Sequence, residues 1–98
     1  MFSLEGINMF QIISPQKVQH SDGYIVQVAD RYALEYLDKN YQARVEVDFG
    51  TNVGVYRDSL HILTMDGGAV QIDTVERETI FRRIISGIEA MGSKVEIC

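Results

Sequence analysis

"RYALEYLDKNYQARVEVDFG", residues 31–50, is the stretch whose reading decides the fold. Ala43, Val45, Val47 and Phe49 alternate with Arg44, Glu46 and Asp48, the two-residue period of a strand with one buried face. Before the polar break at Lys39-Asn40, Tyr32, Leu34 and Tyr36 alternate with Ala33, Glu35 and Leu37. With that break as the tip of a hairpin, Leu34 falls opposite Val45, Tyr32 opposite Val47 and Tyr36 opposite Ala43, all on one side. On the other side Glu35 falls opposite Arg44 and Arg31 opposite Asp48. Apolar pairs and opposite charges agree on one register, and a slip of one residue destroys both sets.

The flanking segments extend this into a sheet. "KVQHSDGYIVQVA" places Asp22-Gly23, a tight-turn dipeptide, between two runs rich in valine and isoleucine. Residues 17–20 and 24–30 therefore read as a second hairpin, with "MFQII" (9–13) a strand before Pro15. "VGVY" and "LHILT" are strand-like on either side of Arg57-Asp58-Ser59, and "MDGGAVQID" reads as a turn into another short strand. After residue 73 the period changes. Phe81, Ile84, Ile85 and Ile88, widened by Ile80 and Met91, recur at helical spacing. Asp73 with Glu76 three residues on predicts a capped helix start, Glu76 and Glu78 suit its positive end, and Gly92 suits its stop. Gly87 inside that helix predicts a close approach to the sheet. "KVEI" then closes the chain as a short strand. The expectation is one α+β domain over residues 1–98. It is a mainly antiparallel sheet of hairpins with one C-terminal helix, about residues 74–91, on one face and a short terminal strand.

Composition narrows the function classes. At 46% hydrophobic and 23% charged residues, the chain has the profile of a soluble globular protein. Fourteen acidic against nine basic residues leave a formal charge of -5. That argues against nucleic acid, whose binding draws on a positive footprint, and against anionic membranes, and it favours basic partners. No apolar run has the length of a bilayer span. "MFSLEGINMF" lacks the basic-then-apolar layout of a secretory signal, and the one cysteine, Cys98, cannot staple the fold. A cytoplasmic location is the expectation.

No catalytic constellation stands out. Glu35 and Asp48 have basic residues across the predicted hairpin and only Glu46, opposite Ala33, lacks one. These carboxylates read as the wet face of a sheet rather than an acid–base pair. His20, His61 and Cys98 show no short metal-ligand spacing, and His61 in "SLHIL" reads as a strand residue with one packed face. "DGG" at 66–68 lacks the setting of a phosphate loop. Arg82-Arg83, interleaved with glutamates, reads as the exposed side of the helix. Tyr41, at the hairpin tip, has no obvious apolar shelter, and exposed aromatics are enriched at interfaces. Neither a cofactor nor a metal is expected.

"YALEYLDKNYQARVEVDFG", "VGVYRDSLHIL" and "DTVERETIFRRIISGIEAMGSKVEI", in that order, resemble a family of small bacterial immunity proteins that accompany polymorphic toxins, including those of contact-dependent inhibition. The similarity spans roughly residues 24–97. It departs after "SLHIL", where a tryptophan and prolines would stand and this chain has no tryptophan. The resemblance implies a non-enzymatic cytoplasmic protein that binds a cognate toxin C-terminal domain, of a basic nuclease type, and blocks it. The expected contact surface is Glu35, Glu46 and Asp48 on the outward hairpin face, with Tyr41 at the tip and Asp58 and Asp66 in the loops. Two rival readings stay open. One is a structural or assembly subunit forming a homo-oligomer such as a homodimer. The other is a ligand or enzyme domain in which His20, His61 or Cys98 converge between helix and sheet.

Overall fold

The hairpin forms in the expected register and lies at the centre of the sheet. The computed structural model describes residues 9–98. Its strands are β1 (Phe10–Ser14), β2 (Lys17–His20), β3 (Ile25–Asp30), β4 (Ala33–Leu37), β5 (Tyr41–Phe49), β6 (Val53–Val55), β7 (His61–Thr64) and β8 (Val95–Ile97). A 3-10 turn at Arg57–Ser59 precedes β7, and one helix, α1 (Thr74–Ala90), precedes β8. The sheet runs β1-β2-β3-β4-β5-β6-β8, antiparallel except for β6 with β8. The second edge of β5 is divided: residues 41–44 pair with β7 and residues 47–49 with β6.

Leu34 pairs with Val45, Glu35 with Arg44 and Tyr36 with Ala43, as the alternation requires. Two expected pairs do not form. The register of β3 against β4 shifts between Val28 and Asp30, so Arg31 and Tyr32 make the connecting turn instead of extending β4. Tyr32 is therefore 63% exposed and off the core face, although its carbonyl still accepts from the Val47 N–H at 2.9 Å. The expected Arg31–Asp48 pair is lost to the same turn, and Asp48 stands opposite Gly54. "MDGGAVQID" also falls short of a strand, with a single bridge from Ala69 to Leu63.

The inward positions Val18, Val26, Leu34, Tyr36, Val45, Val47, Val53, Val55 and Ile62 join Ile80, Phe81, Ile84 and Ile88 of α1 in one core. The helix packs on β3, β2 and β1 and also reaches β8, so the sheet curls around it. Asp73 caps the helix by accepting from the Glu76 N–H at 2.8 Å. At the far end Gly92, at φ +101°, takes the left-handed turn that stops it. The close approach expected at Gly87 is real: a Cβ there would stand 2.6 Å from Val26. The result is an α+β fold with the helix on one face of the sheet and, among the described residues, the other face left open.

Candidate functional site

Two regions concentrate charge, and they differ in what their carboxylates do. The first is a crevice of about 700 Å³ between the Asp22-Gly23-Tyr24 turn, the β4–β5 turn and the first half of α1. Four carboxylates line it, namely Asp22, Asp38, Asp73 and Glu76, together with Lys39 and Arg83. Two of these carboxylates hold local structure. Asp73 is the helix cap. Asp38 accepts from the Asn40 and Tyr41 N–H groups, each at 2.7 Å, which closes the hairpin turn. Its other oxygen accepts from the Tyr36 hydroxyl at 2.7 Å. The Asp22 N–H donates to Nδ1 of His20 at 2.9 Å, and that ring stacks on Tyr24.

Arg83 ties the crevice together. It donates to the Tyr36 hydroxyl at 2.9 Å, lies 3.9 Å from Asp38 Oδ2 and covers the Tyr24 ring at 4.9 Å. The expectation that Arg82-Arg83 form an exposed pair holds for Arg82 only, since Arg83 is half-buried. Arg83 stands three residues after Ile80 and four before Gly87, both buried, so helical spacing alone puts it on the rim of the packed stripe. Tyr41 also departs from expectation. It faces α1, is half-buried, and its hydroxyl donates to Glu76 at 3.4 Å.

Burial, and then the hydrogen bond to Asp38, push the Tyr36 hydroxyl pKa well above its ordinary value of 10.0. Burial likewise raises Tyr24. A phenol with a raised folded-state value contributes stability in full below pH 10, and that contribution is lost as the pH climbs toward the raised value. The urea midpoint should therefore fall as pH is taken from neutral to about 11. Tyr36→Phe should be less stable at neutral pH by about 1 kcal/mol yet show a shallower alkaline decline. An equally steep decline in that variant would remove Tyr36 as its source.

The second region is the sheet face turned away from α1. Lys17, Gln27, Glu35, Arg44 and His61 form one row in register across β2, β3, β4, β5 and β7. Glu35, half-buried, accepts from Gln27 Nε2 at 2.9 Å. Arg44 does not turn to Glu35 but pairs with Asp30. The Tyr32 N–H, and then Arg44, hold the Asp30 carboxyl below its usual range. His61 is exposed at the start of β7 rather than packed. This part of the face is close to neutral.

Further along the same face the balance changes. Glu46 and Asp48 are exposed, and Asp48 stands beside Gly54, which in turn stands beside Glu96 of β8. Among the described residues none of Glu46, Asp48 and Glu96 makes an ion pair. Gly54 leaves the space that the Cys98 thiol and the Asp48 side chain occupy, at 3.4 and 3.7 Å from where its Cβ would be. Cys98 thus lies on the outer face, while the His20 ring packs on the helix side. The 3-10 turn carrying Asp58 is fastened here, with Ser59 Oγ accepting from the Glu46 N–H at 2.8 Å. Asp66 lies at the other end of β7, where it accepts from Thr64 Oγ1, a bond that holds its pKa down.

Of the six residues expected to form one surface, the structure brings Glu46 and Asp48 together, with Asp58 in the turn fastened beside Glu46. Glu35 shares their face but is engaged by Gln27. Tyr41 lies on the opposite face and Asp66 at the opposite end. Glu96 is the member that sequence reading missed, and its signal was the alternation of "KVEI", which sets Glu96 opposite in parity to Val95 and Ile97. The chain matches no known family model, no curated protein and no solved structure. Among the described residues no group of three or more His, Cys, Asp or Glu side chains is placed to hold a metal ion. Among the described residues no helix is long and apolar enough to cross a membrane.

Proposed function

We propose that this protein is a non-catalytic inhibitor that binds a basic protein through the open sheet face, and that the partner is a toxin domain of the kind small bacterial immunity proteins neutralise. The observation that supports this most is the contrast between the two acidic regions. In the crevice, Asp38 and Asp73 are committed to closing a turn and capping a helix. On the outer face, Glu46, Asp48 and Glu96 are presented on paired strands, unpaired with any cation among the described residues. Fixed like charges on a rigid sheet favour a complementary partner, because nothing has to reorganise when it docks. A nuclease-type toxin carries a basic surface for its substrate, and an acidic face covers such a surface without copying the substrate. On this reading the protein acts in the cytoplasm beside its target.

Glu46→Lys/Asp48→Lys should fold normally, since both side chains are exposed, and should bind the toxin domain at least about 100-fold more weakly. The domain to use is the one encoded at the end of the adjacent toxin gene, and the readout is titration calorimetry together with protection of cells that express it. Association with the unchanged protein should slow as salt is raised. Unaltered affinity and protection in the double variant would exclude this face.

A further inference from the structure

We propose that β1 is the seam of a homodimer, in which two copies join their sheets edge to edge about a two-fold axis at Gln11. This inference does not rest on the proposed toxin partner, and it leaves the acidic face free. Among the described residues β1 pairs only with β2, and no other described strand lies on its outer edge.

Backbone bonding shows which groups that edge presents. The Ser21 N–H donates to the Met9 carbonyl, while the His20 N–H donates across to Tyr24 and the Val28 N–H to Gln16. His20 and Val18 thus direct their main chain toward β3. Their β1 partners, Phe10 and Ile12, accordingly point their N–H and C=O groups outward, by the alternation of antiparallel ladders. An antiparallel second copy satisfies all four groups when Phe10 of each chain pairs with Ile12 of the other.

That register also accounts for the side chains. Met9, Ile12 and Ile13 are 45%, 63% and 46% exposed, a concentration of apolar surface within five residues. With Gln11 opposite itself, Ile12 falls against Phe10 on the helix side and Ile13 beside Met9 on the open side. Every exposed apolar residue of the strand gains an apolar partner. Shifting the axis to Ile12 sets Gln11 against Ile13 and Phe10 against Ser14, so it is the poorer fit.

Electrostatics selects the same place. Each chain carries -5, so two copies repel wherever their acidic surfaces meet. Residues 6–16 form the longest run in the chain without a charged side chain. Edges that must stay single carry lysine, proline or an inward charge, and Phe10–Ser14 carries none of these. The bulge between Ile12 and Ser14 falls just past the bonds that Phe10 and Ile12 make, at the Ile13–Met9 end of the seam.

Sedimentation and light scattering of the full chain should give twice the chain mass, dissociating on dilution. Ile12→Lys, checked for folding by circular dichroism, should weaken self-association by about 100-fold or more and leave a monomer. In a Cys98→Ser background, Gln11→Cys should form a disulfide-linked dimer under mild oxidation, because residues facing each other across a non-hydrogen-bonded pair are about 4.5 Å apart at Cα. Ile13→Cys in the same background should not, since that position faces Met9. A chain that stays monomeric up to about 1 mM overturns the proposal. So does a dimer that survives Ile12→Lys, or one that cross-links through Ile13→Cys and not Gln11→Cys.

Discussion

Gly87→Ala is expected to destabilise the protein by about 2 kcal/mol, against the direction that helix propensity gives. In an exposed helix the same change gains roughly 1 kcal/mol, since alanine fixes the backbone at lower entropic cost. Here the new methyl would lie 2.6 Å from Val26 Cβ, 2.6 Å from Cγ2 and 2.9 Å from Cγ1. Rotating χ1 of Val26 offers no escape, because Cβ does not move with it and both methyls are already crowded. Val26 is fully buried in an inner strand paired on both sides, so its backbone cannot yield alone. The helix must lift, thinning contacts of Ile84 and Ile88 with the sheet. Overpacking of this kind typically costs 1–3 kcal/mol and outweighs the propensity gain. Val26→Ala alone leaves a void. Combined with Gly87→Ala it should be less harmful than the two losses added, by about 1 kcal/mol in a double-mutant cycle of urea midpoints. A higher melting temperature for Gly87→Ala would show that the helix does not ride on Val26.

The same residue illustrates what a sequence makes legible. A glycine within a strongly periodic helix has few reasons to be there, so the close approach could be anticipated without knowing which residue it meets. The β4–β5 register was legible because apolar and charged pairs selected it independently, and Leu34, Glu35 and Tyr36 pair as they required. Tyr32 was misplaced because alternation continues through Arg31-Tyr32 on paper, whereas the register shift at Val28 and Asp30 turns the chain there. Such a shift depends on how β3 meets β4, and no local pattern records it. Arg44 shows a similar limit: Glu35 stands opposite it, but Asp30, two strands away, takes the guanidinium.

The candidate site was less legible than the fold. Outward parity placed Glu46 and Asp48 correctly, since parity is local. Tyr41 has the parity of Ala43 and Val45 and so belongs to the helix side, which its position at the tip obscured. Arg83 meets Tyr36 across 47 residues of sequence. Only the packing of α1 over the hairpin ends creates that contact. Charge that is bound and charge that is free look alike in a sequence, and their difference separates the crevice from the open face.

Asp38→Ala should be the most damaging change in the crevice, lowering stability by about 3 kcal/mol. One carboxylate closes the β4–β5 turn through the Asn40 and Tyr41 N–H groups, accepts from the Tyr36 hydroxyl and faces Arg83. Alanine removes all of these at once. The Tyr36 side chain is fully buried, and its hydroxyl can still accept from Arg83 but has no acceptor left for its own hydrogen. An unsatisfied buried donor costs about 1–3 kcal/mol, and losing the turn amides' acceptor adds to that. Asp38→Asn separates the contributions. Its amide oxygen can serve the turn as Oδ1 does, while its NH₂ cannot accept from Tyr36 and leaves Arg83 without a counter-charge. The asparagine variant should therefore recover about half of the loss. Tyr36→Phe should make Asp38→Asn clearly less damaging, because the orphaned hydroxyl is then gone and only the lost counter-charge to Arg83 remains. Chemical denaturation of the four proteins measures this coupling. If Asp38→Asn proved as damaging in the Tyr36→Phe background as alone, the loss would come from the turn and the charge, and the buried hydroxyl would have no part in it.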